Sequence, residues 1–136
     1  MQNVLIDTGF WYALFDKQDQ YHNKALEILE VIALQNCLIL PFPTLYETLN
    51  TSFIKNHKLN FDIFIKTHQN IIISDTKYTD KALEETLKIS NYKYSLVDMV
   101  LRMMILDVNL SINGLVTFNE GDFTDVCQQR NIPILS

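Results

Sequence analysis

Four acidic residues stand where apolar runs give out or where a helix begins: Asp7 in VLIDTGF, Glu47 in PTLYETLN, Asp98 in YSLVDMVL and Asp122 in TFNEGDF. One carboxylate alone has little chemistry to offer. Several that converge form the all-oxygen cage a hard divalent cation requires. Such crowding is costly, because two carboxylates about 4 Å apart repel by roughly 4 kcal/mol at an effective dielectric near 20. The net stability of a whole domain is only ~5–15 kcal/mol. A shared pocket of acids therefore persists when a cation compensates it, or when carboxyl groups take up protons through raised pKa values. Oxygen ligands without His or Cys select Mg2+ or Mn2+ over Zn2+.

Each acid also has a structural account. Asp7 can cap the helix that follows it as an Asx-turn residue. Glu47 stands three residues after Thr44 and Asp98 three after Ser95, the spacing of a capping box, and Asp122 repeats that spacing after Asn119. Taken singly, capping is the simpler reading, since caps are common and metal sites few. The joint case differs for Asp7, which closes the buried-looking strand run NVLI and so begins at a sheet edge rather than out in a loop. Arg102, four residues after Asp98, either pairs with it along one helix face or, if Asp98 ligates a metal, meets a phosphate. His22, His57 and His68 belong to no nucleophile motif, and His22 is expected to order the start of its helix.

The elements that would position these residues are legible from periodicity. NVLI, CLILP, IIIS, GLVTF and the terminal IPIL read as short buried strands. Helical spacing of apolar residues follows Asp7 to Phe15 and spans His22–Ile32. Thr44 and Glu47 predict a helix to about Ile54. The polar KNHKLN then leads to a short helix near Phe61–Thr67. Two more helices are expected over Thr79–Ile89 and from Ser95 onward. Strands that alternate with helices indicate one α/β domain over residues 1–136. Its expected form is a three-layer sandwich around a central, largely parallel five-stranded sheet of Rossmann-like topology. Ligands of such sheets bind at the carboxyl ends of the strands, near a switch in strand order. Asp7, Glu47 and Asp122 lie at or just past strand ends, whereas Asp98 opens a helix.

The composition is that of an ordinary folded domain, 48% hydrophobic and 20% charged. The net charge of −5 argues against a partner held mainly through phosphate neutralisation, but not against acids focused on a metal. Cys37 and Cys127 lack ligand-spaced neighbours and read as buried small hydrophobes. No charged-then-apolar leader opens the chain and no run approaches membrane-spanning length, so a reducing cytoplasm is the expected compartment and no membrane is expected as a partner. Phe10, Trp11, Tyr12 and Phe15 exceed what one helix face needs, and Trp11 or Tyr12 is expected to form an exposed patch for a second copy or a partner peptide.

Asp-Thr-Gly after the first strand, D-x-x-H-x-x-A over Asp19–Ala25, the helix Glu of PTLYETLN, S-L-V-D and T-F-N-x-x-D-F occur in that order along nearly the whole chain. In this the sequence resembles PIN-domain nucleases, and by size it is most similar to the VapC-type toxins of toxin–antitoxin pairs. The resemblance implies endonucleolytic cleavage of single-stranded RNA with Mg2+ or Mn2+ bound by Asp7, Glu47, Asp98 and Asp122, through a metal-activated water that leaves a 5′-phosphate and a 3′-hydroxyl. Thr8, Thr117 and Asn119 would orient carboxylates or water. The family often has Asp where Asn119 stands, which leaves Asp122 as the ligand from the last motif. The expected partners are an RNA substrate, an antitoxin protein and a second copy in a homodimer. A solitary PIN nuclease of RNA processing and a silent RNA- or protein-binding module are the alternatives. A receiver domain wants an acidic pair after the first strand, and a haloacid-dehalogenase-like phosphatase wants Asp where Gly9 stands.

Overall fold

The protein is described by a computed structural model covering residues 2–33 and 36–136. Strands β1 (Gln2–Ile6), β2 (Asn36–Pro41), β3 (Asn70–Ile73), β4 (Gly114–Val116) and β5 (Ile134–Leu135) are all parallel and lie in the order β3-β2-β1-β4-β5. The central position of β1 explains the apolar run of Val4, Leu5 and Ile6. Val4 and Ile6 face one layer, Leu5 the opposite one, and none is more than 3% exposed. Val4 is in register with Leu38 of β2 and Gly114 of β4.

Helices α1 (Thr8–Phe15), α2 (His22–Ile32), α3 (Phe42–Thr48) and α4 (Thr51–Thr67) contribute to the first layer. There Phe10, Trp11, Leu14, Ile28, Leu45, Phe53, Phe61 and Phe64 pack with Val4, Ile6, Leu38, Leu40 and Val116. Helices α5 (Thr79–Thr86), α6 (Leu96–Leu106) and α7 (Thr124–Arg130) cover the other face, where Ala82, Leu101, Met104, Ile105, Phe123 and Cys127 meet Leu5, Ile39 and Leu115. Each large side chain so buried contributes on the order of 1.5–3 kcal/mol. The fold is a three-layer α/β sandwich.

Several sequence expectations are corrected. Thr44 does not cap a helix with Glu47: α3 begins at Phe42 behind Pro41, with Pro43 in its first turn, and the Thr44 hydroxyl donates to the Pro41 carbonyl. That helix stops at Thr48. A new one starts behind Asn50, whose side chain accepts from the Phe53 N–H, and it runs unbroken to Thr67. KNHKLN is thus not a connection but part of a helix whose Phe53, His57, Phe61 and Phe64 turn inward while Lys55, Asn56 and Lys58 meet solvent. The last strand shrinks to Ile134–Leu135, and α5 ends at Thr86 rather than Ile89. Trp11 forms no exposed patch. It is wholly buried among Phe10, Phe15, Phe61 and Phe64. Cys37 and Cys127 are buried free thiols, as expected.

Candidate active site at the switch in strand order

The chain lays β2 and then β3 outward from β1, and returns to place β4 on the other flank of β1. Connections leaving the carboxyl ends of β1 and β4 therefore diverge, which opens a crevice between them. Asp7 follows β1 directly, and Thr117 follows β4. The Asp7 N–H donates to the Val116 carbonyl at 3.0 Å, extending the ladder one step past the strand. That register sets the two side chains face to face, and the Thr117 hydroxyl donates to Asp7 Oδ2 at 2.9 Å. Asp7 is also the N-cap of α1, its Oδ1 accepting from the Thr8 N–H at 2.8 Å. Asp7 is thus at once the cap of α1 and a buried carboxylate at the switch in strand order.

From this centre a hydrogen-bonded chain extends both ways. The Thr8 hydroxyl donates to Glu47 Oε1 at 2.8 Å, and Thr117 Oγ1 accepts from the Asn119 N–H at 3.0 Å. Glu47, Thr8, Asp7, Thr117 and Asn119 are thus joined in sequence, although they come from three separate parts of the polypeptide. Glu47 is exposed near the end of α3, and its main chain is fixed from α1 and α4. The Tyr12 hydroxyl donates to the Glu47 carbonyl at 2.6 Å, and Asn50 Nδ2 donates both to that carbonyl and to the Tyr12 oxygen at 3.0 Å. Sequence reading missed Tyr12 and Asn50 in this role. The Asn before a helical run is a readable cap signal, whereas nothing local announces the Tyr12 contact.

Asp98 makes the expected capping box with Ser95: Ser95 Oγ accepts from the Asp98 N–H, and Asp98 Oδ2 accepts from the Ser95 N–H. Asp122 lies in a short 3-10 turn, Glu120–Asp122, and the Asn119 side chain makes no cap there. Arg102 does not pair with Asp98. Its guanidinium takes Asp125 in a two-pronged ion pair at 2.7 Å and also donates to the Asp122 carbonyl. His22, the first residue of α2, ties that helix to α1, its Nδ1 lying 2.7 Å from the Ala13 carbonyl.

Burial dominates the electrostatics. Asp7 is 6% exposed, and this pushes its carboxyl pKa up to about 6. Hydrogen bonds from Thr117 and Thr8 oppose the rise, while the negative charges of Asp98 and Glu47 add to it. Asp7 therefore feels the charges of both Asp98 and Glu47. Among the described residues, however, no three His, Cys, Asp or Glu side chains converge closely enough to hold a metal ion. Uncompensated carboxylates stay apart for the Coulombic reason given above. The donor chemistry fits a hard divalent cation: the donors are oxygens only, and the buried Asp7 charge, disfavoured by its surroundings, would be favoured by a cation beside it.

No protein-family model matches the chain. No curated protein matches it in sequence. Among solved structures it is similar to the crystal structure of VapC20 from Mycobacterium tuberculosis, a sarcin–ricin loop cleaving toxin. The TM-score is 0.69 at 16% sequence identity, over 90% of this chain and 94% of that one. The chain has a VapC-like PIN fold.

Proposed function

We propose that this protein is an Mg2+- or Mn2+-dependent endoribonuclease, acting on single-stranded or structured RNA as the toxin of a toxin–antitoxin pair. The observation that carries the reading is Asp7 at the strand-order switch, bonded by Thr117 and Thr8, with its pKa raised by burial first and then by the charges of two further acids. A structural cap alone has no need of such an arrangement.

Asp7, Glu47, Asp98 and Asp122 would hold the metal. When bound, the metal supplies a more acidic water and neutralises charge on the scissile phosphodiester. Thr8 and Thr117 hold Asp7 by one oxygen each, so the carboxylate cannot rotate away from the crevice. The Thr8 hydroxyl orients Glu47, and Asn119 holds Thr117 through its main-chain N–H. Such partners of a ligating group typically matter by ~10–100-fold in affinity or activity.

An antitoxin and a second copy of the chain are the protein partners of this reading. Tyr46, Leu83 and Leu96, exposed around a groove of about 490 Å³ between α3, α5 and α6, supply apolar surface of the kind such contacts use. Among the described residues no helix is long and apolar enough to cross a membrane. Two buried thiols without a disulfide accord with the reducing cytoplasm as its compartment.

The test is incubation with an RNA panel that includes a ribosomal sarcin–ricin stem-loop, with Mg2+, Mn2+ or chelator. Cleavage by the wild type with metal, abolished by chelator and by Asp7→Asn, is the expected result. An intact panel under every condition rejects the nuclease, and RNA bound but uncut would favour the silent module. A small neighbouring reading frame for a DNA-binding protein separates toxin from solitary nuclease.

A further inference from the structure

Arg102 sits one helical turn beyond Asp98 on α6, with its side chain 14% exposed. Its Nη1 donates to the Asp122 carbonyl and to Asp125 Oδ1, both at 2.7 Å, and its Nη2 donates to Asp125 Oδ2 at 2.7 Å. The guanidinium carbon lies 4.1 Å from the centre of the Tyr94 ring, which covers one face of the fork. Beside it Lys93 Nζ donates to the Gly121 carbonyl at 2.9 Å. Two adjacent carbonyls of the Glu120–Asp122 turn are thus gripped, one by Arg102 of α6 and one by Lys93 from the loop before that helix.

We infer that Arg102 is a positioning residue that fixes Asp122 relative to Asp98. This rests on the nuclease reading, which assigns both acids to one metal site. Asp98 and Arg102 share a rigid helix, so a bond from Arg102 to the Asp122 main chain ties the two acids together. The turn that carries Asp122 has three residues and buries none of them, so it has little packing of its own to hold that acid in place. A planar fork satisfies three acceptors in fixed geometry, whereas a lysine at the same place is a flexible point charge. Asp125 holds the fork in plane and neutralises it. Arg102 is therefore committed to the turn rather than presented to a phosphate.

The test uses the full chain as Arg102→Lys, Asp125→Asn and Asp125→Glu, and Asp125, being 61% exposed in its side chain, is the substitution least apt to disturb folding. Amide exchange at Asp122 and Phe123, whose N–H groups close the turn onto Asn119 and Glu120, should quicken in the first two variants. Mn2+ affinity measured without RNA, and kcat, should each fall by about tenfold with KM for RNA unchanged. Asp125→Glu keeps the paired oxygens and should recover most of the loss. Arg102→Lys and Asp125→Asn proteins with wild-type Mn2+ affinity and kcat overturn the inference and leave the nuclease reading intact. A wild type that neither binds Mn2+ nor cuts RNA overturns both.

Discussion

Asp7 carries its charge where water is nearly excluded, and the pH dependence of stability should show it. An unfolded Asp titrates near 3.8, and the folded one at about 6. Below the lower value both states are neutral. Between the two, the unfolded chain ionises while the folded one keeps its proton, so stability falls as pH rises. Above about 6 both are charged and the folded state bears the whole penalty, (6 − 3.8) × 1.36, or about 3 kcal/mol at most. Asp7→Asn removes this penalty but leaves the Thr117 proton without its acceptor, a loss of ~1 kcal/mol. In chelator at pH 7.5 the variant should melt no lower than wild type and by as much as a few degrees higher, an advantage that vanishes by about pH 4. Its RNA cleavage should be lost. Melting curves across pH and a cleavage assay check both, and a variant that melts far lower at pH 7.5 contradicts the electrostatic account.

Helix starts deliver Asp7 and Asp98, whereas Glu47 stands near the end of α3, and the caps involved separate into two kinds. Ser95→Ala breaks the capping box and should cost about 1 kcal/mol in stability. It should also slow cleavage, because the same residue holds Asp98. Asn50→Ala should cost a similar ~1 kcal/mol as a cap and loosen Glu47 through the lost carbonyl contact. Denaturant melts set against kcat distinguish these effects from simple destabilisation. Trp11 belongs to the packing between α1 and α4. Trp11→Ala should cost ~3–5 kcal/mol, and sedimentation of the folded fraction should match wild type. Its indole N–H has no partner among the described residues, so Trp11→Phe should cost much less. The Thr44–Glu47 spacing shows why a cap pattern misleads: two prolines flanking Phe42 start the helix earlier, and the Thr44 hydroxyl is spent on Pro41.

Considered as a whole molecule, the domain brings negative groups to one edge without closing them around a centre. Binding of a divalent ion to the folded state alone should therefore raise the melting temperature, by ~2.7 kcal/mol of added stability when the ion is at a hundred times its Kd. The rise should be larger at pH 7.5 than at pH 5, where protons compete for Asp7, and it should be absent in Asp7→Asn. Scanning calorimetry with Mg2+, Mn2+ and chelator measures it. Equal shifts in wild type and Asp7→Asn would place the ion elsewhere.

Local pattern determined much of this protein. Short apolar runs marked five strands, the spacing of Ala25, Ile28 and Ile32 marked a helix, and Asp7 sat where the first strand had to end. Those signals act within a few residues, where backbone sterics and burial periodicity are decided. Tertiary structure alone decided that Thr117 meets Asp7 across 110 positions, that Glu47 is reached through Thr8, and that Arg102 turns away from Asp98 to hold the Asp122 turn. Strand order is the reason. Periodicity tells a strand how to face the core, but which strand lies beside it follows from the packing of all three layers at once.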